Sequence, residues 1–181
     1  MNLKTQLALV LPALLSLGYV IPFLGKRKLR LRDVNFIKIF LIAVVWAYVT
    51  VLLPLLELNI ALDDFAIGML VERALFIFVI TLPFDLRDWE IDQRNGVQTI
   101  PAVIGVANTV RLAFIVLIVW WLLCWFLYTN PILIALGLSG LSTAFFVAIA
   151  PKQRHDYFFT ALMDGTMILQ YALILGIDYW C

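Results

Sequence analysis

Residues 112–150 read LAFIVLIVWWLLCWFLYTNPILIALGLSGLSTAFFVAIA, without one Asp, Glu, Lys or Arg. A helix crosses the hydrocarbon of a bilayer with about 20 apolar residues. This run is therefore about two helices long, and Thr129-Asn130-Pro131, a turn signal, divides it near the middle. Neither half alternates polar and apolar residues to keep a wet face, so both read as membrane-spanning helices.

Working outward from this pair, the same reading recurs. An uncharged run from Thr5 to Gly25 precedes the basic block Lys26, Arg27, Lys28, Arg30 and Arg32. Another runs from Ile39 to Leu56 and ends in the acidic loop Glu57, Asn59, Asp63 and Asp64. A third extends from about Phe65 to Phe84, with Glu72 and Arg73 inside it, and a last one covers Tyr157 to Ile177, with Asp164 as its one charge before the end. The fold class is all-α: a polytopic bundle of six transmembrane helices at about 5–25, 37–56, 65–84, 110–128, 131–150 and 157–177, forming one domain over 1–181. The one extended polar segment is a motif loop, 85–110.

Composition agrees. Of the 181 residues 64% are hydrophobic and 14% charged, too little polar surface for a soluble domain of this size. A net charge of +1 gives no field for nucleic acid. The two cysteines, one in an apolar run and one at the chain end, make neither a disulfide framework nor a metal site. The start of the chain has no small-residue cleavage site, so the first run reads as a retained helix rather than a signal peptide.

Basic residues orient the bundle. All of the 13 Lys and Arg except Lys4 and Arg73 fall in three segments on one side, Lys26 to Lys38, Arg87 to Arg111, and Lys152 with Arg154. The positive-inside rule makes that side cytoplasmic and places both termini opposite. The expected location is a cell's inner membrane. So few residues before a first helix that starts outside point to N-terminal helices supplied elsewhere.

Chemistry concentrates in Asp85-Leu-Arg-Asp88-Trp-Glu-Ile-Asp92. On a helix, positions i, i+3 and i+7 share one face, so these three carboxylates converge and repel unless a cation joins them. Mg²⁺ suits hard oxygen donors and completes its shell with water and phosphate oxygens. An ordinary charged helix end crossing the headgroup zone, with Arg87, Glu90 and Arg94 in surface ion pairs, explains the spacing equally well.

The stretch from Asp85 through Gly96, Thr99-Ile100-Pro101 and Gly105 resembles the second aspartate-rich motif of the UbiA superfamily of intramembrane prenyltransferases: DxxDxxxD, a Gly, Thr-Leu/Ile-Pro, and a further Gly. About 20 residues match in step. Tyr19 followed by Lys26-Arg27 is similar to the Tyr and basic pair between the family's fourth and fifth helices, and Trp46, Thr50 and Pro54 resemble its fifth helix. The six spans then correspond to helices four to nine of nine.

The resemblance implies prenyl transfer from an isoprenoid diphosphate to a lipophilic acceptor. It implies Mg²⁺ on Asp85, Asp88 and Asp92 as the catalytic and metal residues, with Lys26, Arg27, Arg94 and Tyr19 on the diphosphate. Two departures stand out. The family's first motif, NDxxDxxxD, is absent with the three helices that carry it, and Gln98 stands where the family often has a basic residue. A partner polypeptide supplying those helices is therefore part of the expectation. A non-catalytic membrane protein, either a degenerate relative or a subunit, stays open beside it. A small transporter is disfavoured, since no inverted repeat is visible.

Other polar residues have plainer readings. Asp164, about seven residues into the last span, marks a cavity or a partner at that depth. Gln170 serves as interhelical glue. Glu72 and Arg73 sit at the interface, His155 lies in a solvated loop, and Trp120, Trp121, Trp125, Tyr128, Tyr179 and Trp180 form an aromatic belt.

Overall fold

The computed structural model describes residues 2–22, 30–94, 96–153 and 155–180, with side chains described as far as Gly176. Its described residues form helices and connecting turns, with no strand among them. Among the described residues, six helices are long and apolar enough to cross a membrane: Leu3–Val20, Ile37–Glu57, Asp64–Arg94, Val106–Leu127, Asn130–Lys152 and Phe158–Gly176. They are called the first to sixth spans below.

The chain gathers into two compact units, Met1–Phe78 with Ile91–Thr99, and Val79–Glu90 with Ile100–Cys181. In the first unit, the Asn2 side chain starts the first span by accepting from the Thr5 N–H at 2.8 Å. The Asn2 amide also donates to the Leu56 carbonyl at 3.0 Å, and its backbone N–H to Glu57 at 2.9 Å. The start of the first span thus meets the end of the second, and the two run antiparallel.

Pro12 has no N–H for the carbonyl four residues back, that of Ala8. The Tyr48 hydroxyl donates to that carbonyl at 3.0 Å. Tyr48 opens a π-helical turn, Tyr48–Leu52, placed just before Pro54. Such a wide turn adapts the ladder to a residue that cannot donate. Asn59, with φ of 54°, closes the second span in the left-handed conformation that Asn tolerates better than most side chains.

In the second unit, Tyr128 and Thr129 are extended between the fourth and fifth spans, and Pro131 occupies the first turn of the fifth. Gly140 lets the fully buried Trp120 approach: a Cβ there would stand 2.8 Å from the indole. Ala135, Ser139 and Thr143 line the same buried stripe, the small-residue packing that membrane helices use where hydrophobic burial gives no drive.

The boundaries differ from expectation mainly in the third span. At about 1.5 Å per residue its 31 residues measure roughly 46 Å, against about 30 Å of hydrocarbon. It ends at Arg94, not Phe84, so most of the expected loop 85–110 is helical: among the described residues of that stretch only 96–99 and Gly105 lie outside helices. Charge ends a hydropathy run but does not end a helix, since Asp, Glu, Arg and Gln are tolerated there until Asn95-Gly96. Gly96 takes φ of 75°. The fourth span accordingly begins at Val106 rather than at 110. The first span ends at Val20, short of the expected 25, with 23–29 outside the described residues.

Candidate functional site

The motif divides between the two units, and each part has its own environment. In the second unit, Pro83 precedes a turn bearing Asp85, which is only 3% exposed, and Arg87-Asp88. The Arg87 guanidinium donates to both oxygens of Asp88, Nε at 2.7 Å and Nη2 at 3.1 Å. Its Nη1 reaches Asp156 at 3.3 Å. The same group lies over the rings of Phe84 and Phe159, with centroids 5.4 and 5.2 Å away. Cation–π contact with two rings and ion pairing with two carboxylates hold this arginine in one place.

Phe159 belongs to a π-helical turn, Phe158–Met163, that opens the sixth span and returns to α geometry at Asp164. There the Asp164 N–H donates to the Phe159 carbonyl at 3.2 Å, five residues back. Asp164 is partly buried, and Arg87 is close enough for its charge to act on it. Sequence alone suggests a surface ion pair for Arg87 and a solvated loop at His155, and the pairing of Arg87 with Asp156 has no sequence signal.

In the first unit, Asp92 meets Lys38: Nζ lies 3.2 Å from Oδ2, with the side chains 17% and 20% exposed. The chain before Lys38 grips the tail of the motif as well. The Gln98 N–H donates to Asn35 Oδ1 at 2.8 Å, and the Gln98 carbonyl accepts from the Phe36 N–H at 3.1 Å. Phe36 makes this contact with φ of 62°, a conformation rare for a bulky residue and held only where surroundings over-determine it. Thr99 follows, 3% exposed, its hydroxyl buried without a hydrogen-bond partner. Such an orphan costs about 1–3 kcal/mol.

Of the remaining predicted residues, Arg94 is exposed and Tyr19 lies on the wall of a small apolar pocket. Lys26 and Arg27 fall outside the described residues. Glu72 is 1% exposed, with Arg73 4.0 Å away, so this pair is far more enclosed than a bare interfacial placement implies.

The donor chemistry of three carboxylates suits Mg²⁺. Among the described residues no group of three or more His, Cys, Asp or Glu side chains could hold a metal ion. Asp88 is engaged by Arg87 and Asp92 by Lys38.

Comparison with known proteins finds no matching family model, no matching curated protein and no matching solved structure.

Proposed function

We propose that this integral membrane protein binds an isoprenoid diphosphate and takes part in transferring its prenyl group to a lipophilic acceptor. The observation that carries the reading is Thr99. It falls on the Thr of the Asp-x-x-Asp-x-x-x-Asp…Gly…Thr-Ile-Pro stretch that resembles the UbiA superfamily, and its hydroxyl is buried with nothing to bond. A polar ligand at the motif would satisfy it.

In this reading the last turns of the third span stand beyond the apolar part of the helix and carry Asp85, Asp88 and Asp92 toward the headgroup layer. Arg94, Lys26 and Arg27 add charge-assisted hydrogen bonds to phosphate oxygens. The apolar spans keep water from the reactive allylic carbon. Mg²⁺ is the cofactor that goes with this chemistry, and it supplies charge neutralisation of the departing diphosphate. No step is assigned to it. A further polypeptide bearing the first aspartate motif completes the proposal.

The sidedness belongs to the same reading: the three basic segments are cytoplasmic, in a cell's inner membrane. Within each unit one contact supports it: Lys38 meets Asp92 in the first, and Arg87 meets Asp156 in the second. A second reading, a non-catalytic membrane subunit, draws on the same pairs, because carboxylates already matched with cations need no ligand.

A photoreactive isoprenoid diphosphate tests the choice. Labelling of the protein in membranes should be competed by unlabelled isoprenoid diphosphate and weakened by Thr99→Val. Labelling that neither competitor nor substitution changes supports the non-catalytic reading.

A further inference from the structure

A pocket of about 290 Å³ opens between the first two spans, in the first unit. Leu15, Val20, Leu41, Ile42 and Val45 give it an apolar wall, and Ser16, Tyr19 and Trp46 complete the lining. The volume is at the small end for ligand sites, which run from about 300 Å³ upward. That suits one hydrocarbon chain.

A charged turn adjoins this pocket: the 3₁₀ turn Leu31–Asp33 packs against both helices that line it, Val10–Val20 and Ile37–Ala47. Arg30 is fixed on a short 3₁₀ turn, Leu31–Asp33: its Nε and Nη2 donate to the two oxygens of Asp33 at 2.9 and 3.0 Å, and its backbone N–H donates to Oδ2 at 2.9 Å. Arg32 approaches the same carboxylate at 3.8 Å and keeps 44% of its side chain exposed. Two guanidinium groups thus share one carboxylate, so the described part of this turn is net positive and suits an anionic headgroup.

We propose that the pocket holds one acyl chain of an anionic phospholipid, whose headgroup phosphate is held at the Arg30–Asp33 turn with Arg32 as its partner. The chain takes the apolar wall, held by close packing because its methylenes only exchange one hydrocarbon surrounding for another, and the headgroup supplies the selectivity. The site includes Tyr19 and Trp46, which also carry the family resemblance, but uses none of the residues from Asp85 to Gly105, and it does not rest on the prenyl-transfer reading.

Native mass spectrometry of the full chain, released from nanodiscs of phosphatidylcholine with a minor share of phosphatidylglycerol, tests this directly. The expected result is one retained phosphatidylglycerol per chain, about fivefold or more above its share of the bilayer. Ile42→Trp, which fills the pocket, should abolish retention. Arg32→Gln, on an exposed side chain, should retain one lipid but lose the preference for phosphatidylglycerol. Helical content by circular dichroism checks that both variants fold. Retention in proportion to the bilayer, or retention unchanged by both substitutions, overturns the proposal. Displacement of the lipid by an isoprenoid diphosphate also overturns it, since the pocket would then belong to that ligand.

Discussion

Tyr48→Phe removes one hydroxyl, and the structure says what that hydroxyl is for. Pro12 leaves the Ala8 carbonyl without its helical donor, and Tyr48 makes good the loss at 3.0 Å from 40 positions away. In water an orphaned carbonyl finds solvent. In hydrocarbon it does not, and an unsatisfied buried group costs about 1–3 kcal/mol, although hydrogen bonds between membrane helices average nearer 0.6. A loss of about 1 kcal/mol is the expectation for Tyr48→Phe. Pro12→Ala restores the backbone N–H, so the same substitution should then cost only about 0.3 kcal/mol or less, the residue of lost packing. Unfolding equilibria in lipid–detergent bicelles, measured for the four proteins of this cycle, give the coupling. Equal costs of Tyr48→Phe in both backgrounds would refute the reasoning, because the hydroxyl would then not be serving the carbonyl that Pro12 exposes.

Three further outcomes follow from particular contacts. Lys38→Met should lower stability by about 1 kcal/mol, more than a surface pair contributes because both groups are four-fifths buried. The exchange Lys38→Asp with Asp92→Lys should recover most of it in the same assay, and no recovery would show that the pair does not link these segments. The Arg30 hydrogen bonds hold the Asp33 carboxyl below its ordinary value. Its contribution is therefore present above about pH 4, the unfolded-state value, and lost as pH falls through the lower folded one. Melting temperature should drop less between pH 6 and 3 for Asp33→Asn than for the unaltered chain, and parallel profiles would contradict the pairing. Cysteines introduced at Arg30 and Gln153 should react with a membrane-impermeant reagent from the same side, and one at Asn59 from the other. Asn59 reacting together with Arg30 would reverse the topology.

Much of the fold is legible in the sequence because lipid makes a simple demand: uncharged runs of the right length must be helices. The Thr129-Asn130-Pro131 break is readable for the same reason, since Pro131 suits a helix start and not its interior. The end of the third span is not readable, because hydropathy reports where a helix leaves hydrocarbon and not where it stops. Its continuation through Asp85 and Asp92 to Arg94 needs only the absence of a helix breaker before Asn95-Gly96. The π-helical turns at Tyr48 and Phe158 carry no pattern of their own, although Pro54 just beyond the first is a hint. The spacing of the motif residues puts them on one helix face but says nothing of their partners. Lys38 with Asp92 and Arg87 with Asp156 join residues 54 and 69 positions apart, and neither periodicity nor composition connects such distances.

The central claim, that the motif serves an isoprenoid diphosphate, is most directly tested by calorimetric titration of a non-hydrolysable prenyl diphosphate analogue into the detergent-solubilised protein, with and without Mg²⁺. Binding should strengthen by about tenfold or more when Mg²⁺ is present, as phosphate oxygens complete its coordination, and Asp88→Ala and Asp92→Ala should each remove that gain. Binding that is equally tight without Mg²⁺ and indifferent to both substitutions would contradict the account and leave the carboxylates as partners of Arg87 and Lys38 alone.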